Sequence, residues 1–393
     1  MAENQQSSGQ GSAMLNQITI EGLRGVGRVE LDFDPGKRVR TLFGSNGVGK
    51  TKCLEAIYQT LLLTSRTFMY ERRQSSFGLQ RNVLVMDAVS THGKRVLDVP
   101  SAGGFVYDKV LAGATVEETH DGPVVLLGAR NRASLVVEGK TSRLVGTFAQ
   151  RQKEYFDEIE NLLNRKLLAE SGMATDVAAW FVARAQSVNP YQKNSDNLRI
   201  EIDTVLELLH AVDERIDAKR LEIDGAGQVF LFVEQRQRAL DELSSGFASL
   251  VKLIQAIVSA YANWSGAKNL RDLSGVVLID EIESHLHARW QVGIIPCLKR
   301  LFPNTLFFVA THSPLVLVQL EQGEAYLLQR GADDVVRSSQ IEAPDRKAFA
   351  DVLDDALGVD LNALKRAAMV QDDQADAKRR LLELLEKSRK AAS

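Results

Sequence analysis

The run Gly44-Ser45-Asn46-Gly47-Val48-Gly49-Lys50-Thr51 has the G-x-x-x-x-G-K-[ST] spacing that wraps backbone around phosphate. Glycine at 44, 47 and 49 leaves no side chain to stop the chain curling round an anion, so successive N–H groups and the next helix start can point at it. Lys50 then reaches the outer phosphates of ATP, and Thr51 offers its hydroxyl to Mg²⁺. A glycine turn ahead of a helix is the plain alternative. Two further pieces favour phosphate chemistry. Asp280 and Glu281 end the apolar run Val276–Ile279, where an acid is expensive unless it faces a cation or donors. On a parallel strand neighbouring the P-loop strand, Asp280 would stand opposite Thr51 and hold Mg²⁺, with Glu281 taking a proton from the attacking water. The pair alone would read as a helix N-cap. His312 ends the next run, Thr305–Ala310, at the edge where open α/β sheets keep their ligands. There it could bond the γ phosphate, although a histidine alone would read as a loop residue capping a helix.

Leu243-Ser244-Ser245-Gly246 puts two hydroxyls and a glycine at another helix start, a second anion-ready N-terminus or a plain cap. Two such starts far apart in one chain suggest a head-to-tail dimer in which each covers the other's nucleotide. His285 and His287 alternate with Glu281 and Glu283 but have no third ligand at recognisable metal spacing. A surface or interface role suits them better.

These residues need strands and helices to hold them. The P-loop follows Val39–Phe43 and precedes a helical pattern that fades near Leu63. Gln17–Ile20 and Val29–Phe33 alternate as an antiparallel pair, and the segments 83–89, 95–99 and 134–137 read as strands of a second, antiparallel sheet. From Phe148 the period turns helical. Tyr155, Ile159, Leu162, Leu163 and Leu167 share one face, and Ile202, Val205, Leu206, Leu209, Val212 and Ile216 share another. Each arm is too short for a long coiled-coil tether. The expected organisation is α/β: a disordered tail at 1–13, a first lobe with P-loop and antiparallel sheet at 14–147, and a helical insertion at 148–222. A second lobe at 223–330 carries the signature, the acidic pair and His312, and 331–393 is helical.

Composition narrows the setting. The chain has 393 residues, 45% apolar and 25% charged, with a net charge of -3, so nothing general argues for nucleic acid, though a local basic groove can exist. Cys53 and Cys297 are its only cysteines, which excludes a disulfide framework and fits a reducing cytosol. The most apolar stretch, Phe247–Trp264, contains Lys252 and Gln255, and no membrane span is expected.

In this order the motifs resemble the ATP-binding-cassette ATPases of the SMC and RecF type. More narrowly, Leu278-Ile279-Asp280-Glu281-Ile282-Glu283-Ser284-His285-Leu286-His287, with Arg289-Trp290-Gln291 and Leu301-Phe302-Pro303, is similar to the PtuA-like ATPases of bacterial Septu defence systems. The likeness covers residues 14–63 and 240–320. It implies Lys50 on the phosphates, Thr51 and Asp280 on Mg²⁺, Glu281 as base, and Ser244, Ser245 and Gly246 on the partner's γ phosphate. It also implies Ser284–His287 at the dimer interface and Arg24 near the nucleotide. Phe247 departs from the Gln or Glu usual after the signature glycine, and Gln74, Gln80 and Gln150 all compete as the Mg²⁺-sensing glutamine. The implied function is an ATP-driven homodimeric switch in anti-phage defence, controlling a separate nuclease or toxin. The alternatives are a DNA-binding ATPase of repair or chromosome maintenance, and a scaffold that binds ATP without useful turnover.

Overall fold

Continuously apolar runs such as Val276–Ile279 and Thr305–Ala310 are stable only where helices cover both faces of a sheet. The computed structural model places them so. It describes residues 15–72, 79, 81–99, 119–130, 135, 145–173, 175–191, 193 and 196–345. The tail at 1–13, Gln74, Gln80, the segment 134–137 apart from Leu135, and the charged stretch beyond 345 lie outside the described residues.

The first strands are β1 (Gln17–Leu23), β2 (Gly27–Asp32), β3 (Val39–Phe43), β4 (Ala88–Thr91), β5 (Lys94–Asp98) and β6 (Val124–Leu127). Then come β7 (Ile216–Ile223), β8 (Val229–Val233), β9 (Arg236–Ala239), β10 (Gly275–Ile279), β11 (Thr305–Ala310), β12 (Ala325–Arg330) and β13 (Val336–Gln340). The helices used below are α1 (Lys50–Thr64), α2 (Arg66–Arg72), α3 (Phe148–Asn164), α4 (Val177–Gln186), α5 (Arg199–Val212), α6 (Ser245–Trp264) and α7 (Ala288–Leu301).

One large sheet runs β5-β4-β1-β2-β13-β12-β3-β11-β10-β6, and the half from β12 to the edge strand β6 is parallel throughout. Side chains alternate between its faces. On β10, Val277 and Ile279 join the core that includes residues of α5, α6 and α7, while Leu278 joins the core built on α1, α2 and α3. Leu54, Ile57 and Leu61 of α1 are almost fully buried, each contributing roughly 1.5–3 kcal/mol of transfer free energy.

Four expectations need correcting. The strand reading of 83–89 holds only from Ala88, and β4 and β5 pair onto β1 instead of forming a sheet of their own. The separate antiparallel sheet is β7-β8-β9. The helical reading of 148–222 ends at Val212, because Ile216 opens β7, and a further helix, α4, lies between the two arms. The region from 331 begins with a strand, β13, which pairs with β12 and β2. Lastly, β10 is not the neighbour of the P-loop strand, since β11 lies between β3 and β10.

The insertion is fastened to the rest. Gln152 Nε2 donates to the Trp264 carbonyl at 3.0 Å. Buried Arg72 of α2 pairs with Asp157 at 2.7 Å and Glu160 at 2.9 Å on α3, its guanidinium beside the Phe68 and Phe156 rings. By length and composition α6 could cross a membrane, yet 83% of its most apolar window is buried inside the fold.

Candidate active site

Parallel register brings the chemical residues to one edge. Ile279 pairs with Val309, and Val309 with Thr41, so Asp280, Ala310 and Leu42 are level and the chain leaves the sheet there three times. Glycine makes the first exit possible. Gly49 precedes α1 with φ +110°, and a Cβ there would come within 2.8 Å of Val26. At Gly44, φ +149°, a Cβ would meet the Leu328 carbonyl at 2.8 Å. An L side chain has no room at either position.

Lys50 Nζ donates to the carbonyls of Gly44 at 2.7 Å and Ser45 at 3.0 Å, spanning the loop. Burial lowers its pKa, while Glu283, Asp280 and Glu281 oppose that shift. Three acids around a buried lysine keep the cation available where an anion would sit. Thr51 Oγ1 lies 3.0 Å from both carboxylate oxygens of Asp280, and the Asp280 N–H donates to the Leu127 carbonyl at 3.0 Å. A hydroxyl and a hard carboxylate at a phosphate cradle form the donor set that suits Mg²⁺ bound with a nucleotide.

Glu281 is in the left-handed region, φ +46°, and so is His285, φ +64°. Such conformations cost about 1 kcal/mol or more for a side-chain-bearing residue and gather at functional sites. Ser284 Oγ donates to Glu281 Oε2 at 3.1 Å, which orients the carboxylate. His312 is exposed at the end of β11. Partial burial and the Lys50 charge hold its pKa below the ordinary histidine value, with Glu283 and Glu281 pulling the other way.

Glu283 is the residue that the motif reading left without a role. It accepts from Thr311 Oγ1 and from the His312 N–H, each at 2.7 Å, so the acidic turn is strapped to the histidine turn. Ser313 Oγ continues the link to Gln291 Oε1 at 2.7 Å. The only sequence signal was an extra acid three residues after Asp280.

Ser244 precedes α6 without a side-chain cap bond. Ser245 and Gly246 open that helix, and a Cβ on Gly246 would lie 3.4 Å from the His287 N–H, so the signature turn packs on the His285–His287 segment. Among the described residues, no hydrogen bond or ion pair joins Ser244, Ser245 or Gly246 to the P-loop. Arg24 sits in the β1–β2 turn and donates to the Asn82 carbonyl at 2.5 Å, and Val26 of the same turn touches Gly49. Gln150 closes a capping box with Thr147 at the start of α3, and His287 caps α7 by accepting from the Arg289 N–H at 3.4 Å.

Comparison with known proteins follows the same lines. A family model described as "AAA domain, putative AbiEii toxin, Type IV TA system" matches residues 131–318, a span that includes the signature, Asp280, Glu281 and His312. The chain is 26% identical to the Septu protein PtuA of Bacillus mycoides over 85% of its own length and 43% of that protein. It is 23% identical to the Septu protein PtuA of Bacillus thuringiensis, over 88% of this chain and 85% of that one. With the "Retron Ec83 probable ATPase" of Escherichia coli it shares 33% identity over 36% of this chain and 25% of the other. Thus the chain spans less than half of two of these relatives and most of the third. The chain thus combines a glycine loop spanned by Lys50 and a Thr51–Asp280 pair with similarity over most of its length to the Septu proteins PtuA.

Proposed function

We propose that the chain binds ATP with Mg²⁺ at the P-loop, pairs with a second copy around that nucleotide, and uses hydrolysis to control a separate effector in bacterial anti-phage defence. One observation carries the reading: Thr51 Oγ1 stands 3.0 Å from both Asp280 oxygens at the mouth of a loop spanned by Lys50. Gly44, Ser45, Asn46, Gly47 and Gly49 supply the phosphate cradle, and Lys50 the charge on the outer phosphates. Thr51 and Asp280 hold Mg²⁺, which when bound neutralises charge on those phosphates. Glu281, oriented by Ser284, accepts the proton of the attacking water. His312, fixed through its N–H by Glu283, bonds the γ phosphate. Ser244, Ser245 and Gly246 reach the nucleotide of the partner head, and Arg24 lies near the nucleotide of its own.

The Septu and retron likenesses support the defence setting and the separate effector, a nuclease or toxin. Domain roles follow: the segments around the P-loop and around the signature act as two lobes, with the helices between them as a packed insertion.

Glu281→Gln tests the chemistry. It keeps side-chain size but not basicity, so turnover is expected to fall by a factor on the order of 10² to 10⁴ while ATP binding survives. Lys50→Ala is expected to lose ATP binding. Phosphate release and nucleotide titration decide it, and a Glu281→Gln protein that hydrolyses ATP at the parental rate overturns the assignment.

A further inference from the structure

A groove of about 840 Å³ opens beside the signature turn, lined from five segments: the end of α5, β7, the β8–β9 hairpin, the residues leading into α6, and α7. Its volume falls in the range of small-ligand sites, roughly 300–1,000 Å³. Four arginines line it, Arg215, Arg238, Arg289 and Arg300, against two acids, Asp213 and Glu242. Asp213 is taken up by Arg215, at 2.7 Å. Glu242 accepts from the Ala239 N–H at 3.3 Å. Arg300 donates to the Ala211 carbonyl at 3.0 Å. Among the described residues, no carboxylate forms an ion pair with Arg238, Arg289 or Arg300. The groove therefore has an excess of positive charge in a chain whose net charge is -3. Its wall includes the half-buried Trp290, whose ring lies 6.3 Å from that of Phe247.

Arginine forks match phosphate oxygens bidentately, and an aromatic face offers a stacking surface to a flat ring. We propose that this groove is a second nucleotide site, separate from the P-loop, that takes a free nucleotide with its phosphates on Arg238, Arg289 and Arg300 and its ring against Trp290. The two acids at the groove, Asp213 and Glu242, favour a small molecule over a nucleic-acid strand, which needs a long basic track. Ser244 and Phe247 line the same groove, so an occupant touches the signature turn directly. The inference does not depend on the reading of that turn as a trans contact.

The test is equilibrium dialysis of the full chain carrying Lys50→Ala against ADP, which removes the P-loop from the measurement. One ADP per chain is expected. Replacing Arg238 and Arg289 together by alanine is expected to weaken it about tenfold or more, with an unchanged unfolding midpoint, since both side chains are exposed. Inorganic pyrophosphate, lacking the ring, is expected to bind the same arginines more weakly than ADP. No ADP on the Lys50→Ala chain overturns the proposal, as does ADP binding indifferent to the two arginines. A short single-stranded oligodeoxynucleotide that binds through these arginines more tightly than ADP makes the groove a strand-binding surface and also overturns it. In the chain with its P-loop intact, the double arginine variant is expected to bind one ADP where the parent binds two. Loss of nucleotide from the P-loop in the Lys50 variant is a separate outcome that bears only on the active site.

Discussion

Glu283 shows how one side chain can set a site without touching substrate. Its two oxygens take the Thr311 hydroxyl and the His312 N–H, and bonds to a charged acceptor of this kind are each worth about 1.5–3 kcal/mol. Glu283→Gln keeps the shape but loses the charge and offers an amide donor where an N–H already points. His312 is then expected to shift, lowering kcat by a factor on the order of 10² while ATP affinity stays near parental. Steady-state hydrolysis beside nucleotide titration checks this, and equal losses in both would show a folding defect instead. Glu283 was not legible as a functional residue. Its acidity is local information, but its partners lie in the turn that follows a strand beginning more than twenty residues later.

Two contacts govern how the helices hold together. Arg72 is nearly fully buried between α2 and α3, with Glu160 also buried. Removing one partner leaves an uncompensated charge inside, so Arg72→Ala is expected to cost about 3–5 kcal/mol in urea unfolding. Adding Glu160→Leu should recover much of it, because the stranded carboxylate is gone. His120 is buried where the chain passes Ser65, with Nε2 2.8 Å from the Leu61 carbonyl. Burial holds its pKa below the ordinary value near 6.5, the bond to Leu61 opposing in part. The unfolded histidine therefore takes up a proton at a higher pH than the folded one. Its contribution to stability is complete above about pH 6.5 and is lost as pH falls from there through the folded value. His120→Gln is expected to flatten the dependence of Tm on pH between neutral and mildly acidic conditions, and an unchanged slope would remove His120 as its source.

At the scale of the whole molecule, the proposed function needs two heads. Glu281→Gln with ATP is expected to accumulate as a dimer, and adding Ser245→Arg to return it to monomer, because a bulky cation would occupy the space of the partner's γ phosphate. Light scattering with and without ATP reads this directly. An assembly state indifferent to both ATP and Ser245→Arg removes the trans contact and leaves the P-loop assignment standing.

The sequence by itself determined the phosphate loop and the two apolar runs that end in Asp280 and His312. Each is a contiguous code: glycine spacing sets backbone reach, and unbroken apolar residues demand burial on both faces. The tertiary structure alone decided that β11 lies between β3 and β10, that β4 and β5 extend the main sheet, and that Arg238, Arg289 and Arg300 share a groove. Residues 216–223 show why. Ile216 continued the helical spacing of α5, but the helix stops at Val212 and Ile216, Leu221 and Ile223 pair across to β8. A short apolar pattern fits either period, and only the partner across the ladder chooses between them. Strand order and groove walls are likewise settled by contacts between distant segments, whose energies no local window contains.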